Sequence, residues 1–272
     1  MKYIYFGTPD FAATILQELI NADMPPVAVV TNPDRPSGRD KTITPPAVKK
    51  LVDQSIPVLQ PEELDQAFAQ QLESFDAEVF VLAAYGKILP KWVLEMPQKG
   101  MVGVHPSLLP KYRGATPIQS VIMAGEKETG TSLFIIDEEV DHGPILAQEK
   151  LSIEDTDTYT SLSERLAKLS GQLLIKILPS YLKEEIAPHV QDHDQATLTN
   201  KLKTEDAEVD LEKDDPITIW CKVRALNPEP GAYTFRDGKR MKILEAELKD
   251  GQLILKKIQF AGEKPKEVDE KI

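Results

Sequence analysis

A histidine and an aspartate are the residues with which this 272-residue sequence could move protons or support acyl transfer. His105 ends the β-prone run MVGVH (101–105), and the turn-rich string VHPSLLPKYRGATPIQ (104–119) runs on from it. Asp141 stands thirty-six residues after His105, in VDHGP (140–144). On separate loops at one sheet edge, the carboxylate would fix the imidazole tautomer and raise its basicity. Two isolated residues also admit a plainer reading, in which His105 closes a strand and Asp141 caps a turn. Other chemistries have less to stand on. Cys221 is the single cysteine, so there is neither an intrachain disulfide nor a zinc-ligand spacing. The first strand is followed by no GxGxxG, and no GxxxxGK[ST] phosphate loop occurs.

The elements that must position this pair can be read from the pattern. Residues 3–6 form a β-prone run that stops at Gly7, where Thr8 is expected to cap a helix with Pro9 in its first position. Phe11, Ala12, Ile15, Leu16, Leu19 and Ile20 then recur at helical spacing, and a second apolar run covers 27–30. Further strands at 78–83 and 101–105 alternate with helix-like segments near 46–54 and 62–73. This predicts an α/β fold, an open, doubly wound, mostly parallel Rossmann-like sheet that takes ligands at the carboxyl ends of its strands. Residues 32–46 carry four prolines and read as a long loop, too broken for helix or sheet. An amphipathic helix runs from Asp157 to Leu178 and is expected to end at Pro179, and the polar stretch 184–206 reads as a linker. A short helix near 216–226 precedes β-prone runs over 231–258 joined at Asp237-Gly238 and Asp250-Gly251, the D-G hairpin signal. The expected division is 1–183, linker 184–206, and a small all-β domain 207–272.

Composition narrows the partners. With 41% hydrophobic and 28% charged residues the chain is of ordinary globular type. Forty-four acidic against thirty-two basic side chains give a net charge of −12, which disfavours indiscriminate binding to nucleic acid or anionic membrane. Two local excesses of positive charge stand out. Arg35, Arg39, Lys41, Lys49 and Lys50 outnumber Asp34 and Asp40 in the loop region, and Arg236, Lys239, Arg240, Lys242, Lys249, Lys256 and Lys257 outnumber the acidic residues of 236–257. The N-terminal residues have the pattern of neither a signal peptide nor a membrane span, so a soluble, cytoplasmic protein is expected.

The ordered strings SLLPKYRGATPIQ (107–119) and VDHGPIL (140–146) resemble the folate-dependent formyltransferase family, where a HPSLLPxYRG stretch and a DxGPI turn frame one site. FGTPDFA (6–12), PDRPSGR (33–39) and AYGKILP (84–90) further resemble the branch acting on methionyl-tRNA. VRALNPEPGAYT (223–234) and KRMKILEAE (239–247) resemble that branch's small, OB-like C-terminal β-barrel. The resemblance implies an enzyme that transfers a formyl group from 10-formyltetrahydrofolate to the amino group of methionyl initiator tRNA, without a metal and as a monomer. It implies that His105 donates to the oxyanion while Asp141 orients His105 and manages protons. Folate would lie against Tyr85, Gly86, Lys87, Ile88 and Leu89, with Ser107, Leu108, Leu109 and Pro110, and against the turn residues Glu138, Val140 and Asp141. Arg39 and Lys41 would meet the acceptor end of the tRNA.

One departure bears on catalysis. The family usually reads Asn-x-His-Pro, the Asn being a further oxyanion donor, whereas this chain reads Gly103-Val104-His105-Pro106. Loss of one such donor commonly costs ~10²–10³ in rate. The loop's family GRG is GRD here. Two other readings follow: formyl transfer to a different amine, such as an amino sugar, or a folate- or tRNA-binding relative without turnover.

Overall fold

The first strand, Tyr3–Gly7, shows how the main core is built. Alternate side chains of a strand point to opposite faces. Tyr3 and Tyr5 therefore join one apolar layer with Ala12, Ile15, Leu16 and Leu19 of the helix Asp10–Asn21 and Leu174 and Leu178 of the helix Tyr159–Leu182. Ile4 and Phe6 join a second layer on the other face with Phe68 and Leu72 of the helix Gln66–Glu73. All of these side chains are buried, as a sheet covered on both faces requires. The computed structural model describes residues 1–37 and 41–272.

The main sheet has seven strands. From one edge they run Ile145–Ser152, Glu128–Ile135, Met101–His105, Val79–Ala83, Tyr3–Gly7, Ala28–Val30 and Val58–Leu59. The five from Met101–His105 to Val58–Leu59 pair in parallel, and Glu128–Ile135 runs antiparallel against Met101–His105. The chain winds outward from Tyr3–Gly7 in both directions, so the crevice beside that strand is where the winding reverses. Ligands are expected at the carboxyl ends of strands around such a point.

By compactness the chain forms two units. The first comprises Met1–Arg113, Gly130–Lys150 and Glu164–Ala196, and the second Gly114–Thr129, Leu151–Ser163 and Thr197–Ile272. The expected linker 184–206 is thus not a stretch of free chain. Residues up to 196 belong with the first unit, where His189 and Ile145 exchange backbone hydrogen bonds of 2.7 and 2.8 Å. The second unit contains the helix Pro216–Leu226, capped by the Asp215 side chain, and a four-stranded antiparallel sheet. Its strands are Tyr233–Arg236, Lys239–Lys249, Gln252–Phe260 and Lys266–Lys271, packed over Val209, Ile219, Val223, Met241, Ile243 and Leu255. Both D-G turns form as expected, with positive φ at Asp237, Gly238, Asp250 and Gly251, the geometry of the tight primed hairpin. Arg236 and Glu270, on the two edge strands, form a two-pronged ion pair at 2.9 and 2.6 Å, so the sheet curls toward the expected barrel.

Three local expectations change. Pro179 lies inside its helix, which continues to Leu182 with Lys183 N–H bonding the Pro179 carbonyl. Thr8 is not a helix cap: its hydroxyl donates to the Tyr85 carbonyl and accepts from Asn32, tying together the loops that follow three neighbouring strands. The segment read as loop contains a small hairpin, Arg35–Ser37 against Thr42–Thr44. No helix among the described residues is long and apolar enough to cross a membrane.

Candidate active site

His105 is the last residue of its strand, buried against the antiparallel neighbour, where it stands opposite Ser132. Its Nε2 lies 2.8 Å from the carbonyl oxygen of Tyr112. A carbonyl only accepts, so Nε2 carries a proton. The other ring nitrogen, Nδ1, faces Asp141 Oδ2 at 3.5 Å. The two sequence-predicted residues therefore meet. The contact that fixes the imidazole orientation comes from Tyr112 rather than from the aspartate.

Asp141 sits on a turn with φ of 49°, in the left-handed region. Two residues on, Gly143 is required by close approach, because a Cβ there would lie 1.8 Å from the Ile135 carbonyl oxygen. Beside this turn opens a cavity of about 410 Å³. Leu82, Leu89, Leu94, Phe134 and Ile136 give it apolar walls, and Asp137 to Asp141 form one rim. Ile88 and Val140, exposed by 97% and 64%, stand at its mouth with their apolar surface uncovered, as suits a flat ring system lying between them. Lys91 and Glu138 are joined at 2.6 Å on the rim, and this bond holds the Lys91 ammonium above its ordinary range.

The residues expected around folate divide into two groups. Lys87, Ile88, Leu89, Glu138, Val140 and Asp141 line the cavity. Tyr85 does not: its ring packs edge-on to Phe6 in the core, and burial pushes its phenol up to about 12. Gly86 lies instead on a neighbouring hollow with Thr8, Asn32 and Arg35. Ser107, Leu108, Leu109 and Pro110 are not among the cavity's lining residues. The Ser107 hydroxyl donates to the Lys111 carbonyl, Leu109 N–H bonds the Ser132 hydroxyl, and Leu108 packs on Gly130. Phe134, Ile136 and Leu94 went unread in the sequence as cavity walls. Once Gly103 is placed in its strand, the residue opposite it, Phe134, is the signal that could have found them.

Gly103 itself borders the cavity. A Cβ at this position would come within 2.5 and 2.7 Å of the Phe134 ring and 2.9 Å of Ile136. The place a side chain at 103 would occupy is filled by the Phe134 ring.

The basic segments are less free than their composition suggests. Lys49 is held at 2.8 Å by Asp34, whose carboxyl stays below its usual range mainly through that hydrogen bond. Arg236 is paired with Glu270 on the opposite edge strand, and Lys256 and Lys257 with carboxylates on the strands beside theirs. Lys41 is exposed, and Arg39 lies outside the described residues. His142 bonds Asp137 at 2.7 Å and stacks on His193 at 4.1 Å. Cys221 is buried, and that burial pushes its thiol up, away from reactivity. Among the described residues no group of three or more His, Cys, Asp or Glu is arranged to hold a metal.

Comparisons with known proteins give the family. Residues 1–178 match the family model described as formyl transferase, and residues 201–252 the one described as formyl transferase, C-terminal domain. The methionyl-tRNA formyltransferase of Chloroflexus aurantiacus is 43% identical over 248 residues, covering 90% of this chain and 80% of that protein. That of Halalkalibacterium halodurans is 43% identical over 249 residues, 91% of this chain and 78% of its own. Among solved structures, methionyl-tRNA formyltransferase from Clostridium thermocellum shares the fold with a TM-score of 0.64 at 18% identity, covering 99% of this chain and 100% of that one. HypX from Aquifex aeolicus in complex with tetrahydrofolic acid shares it at 0.69 and 16% identity, over 99% of this chain and 46% of its own. With both halves of the chain matched and close sequence relatives covered over most of their length, the chain belongs to the methionyl-tRNA formyltransferase family.

Proposed function

We propose that this protein transfers a formyl group from 10-formyltetrahydrofolate to the amino group of methionyl initiator tRNA, working as a monomer in the cytoplasm. The observation that carries the reading is that His105 meets Asp141, which stands on the rim of a cavity with apolar walls, in a chain 43% identical to enzymes of that name. The cavity walls suit the flat pterin, with Lys87, Ile88, Leu89, Glu138 and Val140 around it. Attack of the methionyl amine on the formyl carbon forms one C–N bond, and the bond to N10 of the folate then breaks. The amine must lose a proton and N10 must gain one.

Because Tyr112 holds Nε2–H, the reactive side of His105 is Nδ1. In the imidazolium form Nδ1–H can donate to the developing oxyanion, and the Asp141 carboxylate stabilises that cation. Asp141 also stands where it can take the amine proton, through water, and return it to N10. Gly103 supplies no donor, so the oxyanion depends on His105 and on backbone or water donors. Arg39 and Lys41 meet the acceptor end of the tRNA, and the curled C-terminal sheet holds its phosphates.

The test is a formyl-transfer assay with purified protein, 10-formyltetrahydrofolate and methionyl initiator tRNA, with uncharged tRNA and a nucleotide-linked amino sugar in parallel. Formyl-methionyl-tRNA as the sole product supports the reading. Formylation of the sugar alone reassigns the acceptor, and folate binding without any product removes the catalytic role. Arg39→Ala is expected to raise KM for tRNA while leaving KM for the folate unchanged. Equal effects on both overturn the loop assignment.

A further inference from the structure

Gln191 lies in a polar stretch that composition marks as linker, yet it is buried, with 4% of its surface exposed. Its amide uses all its hydrogen-bonding capacity. Oε1 accepts from Arg113 Nε and Nη2 at 3.2 and 2.7 Å, and Nε2 donates to the carbonyls of Asp141 and Gly143 at 2.9 and 2.7 Å. The partners fix which end of the amide is which, since a guanidinium only donates and a carbonyl only accepts. Arg113 Nη2 also reaches His193 Nδ1 at 2.9 Å, so the same guanidinium grips the returning segment at two points.

These contacts close a ring around the candidate active site. His105 bonds the Tyr112 carbonyl; Arg113, the next residue, bonds Gln191; Gln191 bonds the backbone of Asp141; and the Asp141 carboxylate faces His105 again. Asp141 has its φ at 49°, a conformation that a non-glycine residue keeps only when its surroundings hold it there. The two bonds from Gln191 Nε2 span that turn, one to Asp141 and one to Gly143.

We propose that Gln191 is a positioning residue for the reaction: by clamping the carbonyls of Asp141 and Gly143 to Arg113, it sets where the Asp141 carboxylate stands relative to His105. It touches neither the cavity nor the reacting atoms. The proposal rests on the role given to Asp141 above. It also assigns a task to the segment 184–196, which brings Gln191 back onto the first unit through the His189–Ile145 bridge.

The substitutions that test it separate the two halves of the amide. Gln191→Met keeps the size and removes every bond. Gln191→Glu keeps an acceptor for Arg113 but sets a carboxylate against two carbonyls. Both are expected to lower kcat at least tenfold, with KM for 10-formyltetrahydrofolate within twofold of wild type, while Val190→Ala, at an exposed neighbour, leaves both unchanged. Amide hydrogen exchange across 137–146 should rise in both Gln191 variants, a readout that needs no activity. If Gln191→Met fails to fold, the Glu variant, which retains the Arg113 partner, carries the test. Wild-type kcat in Gln191→Glu, or unchanged exchange in the turn, overturns the proposal. A fully active Asp141→Asn would instead remove the catalytic reading of Asp141, with the exchange experiment still reporting on the clamp.

Discussion

The end of the His105 strand and the C-terminal sheet both rest on charged and polar contacts, but in opposite ways. At His105 the polar groups are buried and each holds a specific partner: imidazole to the Tyr112 carbonyl, Gln191 to Arg113 and to the Asp141 turn. On the sheet, charges stand on the surface in rows. Lys257 sits between Glu245 and Glu267, and Lys256 between Glu247 and Asp269, each lysine on the middle of three strands. Water can replace any contact in such a row, so exposed pairs are worth little singly. A buried donor or acceptor has no such substitute, and removing its partner costs the full desolvation penalty. The first region should therefore fail in steps when single residues change, and the second should degrade gradually.

The largest expected effects fall on the first region. His105→Ala and Asp141→Asn should each lower kcat by roughly 10²–10⁴, the range for a lost oxyanion donor or proton-transfer group, with the fold intact by thermal melting. A rate within twofold of wild type in either variant would take that residue out of the mechanism. Gly103→Asn comes next. The substitution restores the family carboxamide, but the Phe134 ring fills the space, and forcing a side chain into a filled site costs about 1–3 kcal/mol. The single variant should be less stable and less active. Gly103→Asn with Phe134→Ala should regain stability over Gly103→Asn alone and exceed it in kcat. Equal stability of Gly103→Asn and wild type would show that the ring yields freely.

What could be read from the sequence follows the same division. The parallel sheet, the helix Asp10–Asn21 and both D-G turns were legible because local pattern and burial agree there: an unbroken apolar run in Tyr3–Gly7, buried on both faces, helical spacing of apolar residues in the helix, positive φ at Asp-Gly. His105 and Asp141 were legible as candidates because their motifs are local strings. Gln191 and Phe134 were not. Gln191 acts across 50 residues to Asp141 and 78 to Arg113, and its polar neighbours gave it the look of linker. Phe134 lies in a strand that the sequence pattern did not single out, and its place opposite Gly103 comes only from the pairing. Tyr85 erred in the other direction: it belongs to a motif string, yet its ring turns into the core.

Tyr85 gives a smaller effect with a defined pH signature. Among the described residues its buried hydroxyl has no hydrogen-bond partner, and burial raises its ionisation to about 12 from the usual value near 10. As pH rises past 10 the unfolded chain ionises first, so the stability this phenol contributes is complete below about 10 and is lost as pH climbs through 12. The loss approaches ~3 kcal/mol for a shift of that size. Tyr85→Phe removes it without breaking a bond. The variant's Tm should match or slightly exceed wild type at neutral pH, and the difference should widen in its favour between pH 10 and 12. A Tm that falls on substitution at neutral pH would mean the hydroxyl has a partner in solution.

The smallest effect belongs to the sheet. Arg236 and Glu270 join its edge strands at 2.6 Å with roughly a third of each side chain exposed. Arg236→Ala, Glu270→Ala and the double variant form a cycle whose coupling should be at most about 1 kcal/mol, the upper end for such pairs. Adding salt should shrink it further, because the Debye length falls to about 3 Å at 1 M. The pair's position raises the stake beyond its energy. It bridges edge strands that no backbone ladder connects, so hydrogen exchange at the outer amides of Tyr233–Arg236 and Lys266–Lys271 should rise in either single variant while the middle hairpin stays protected. Coupling well above 1 kcal/mol that persists in salt would place the pair with the His105 network, and the contrast between the two regions would then lie in burial alone.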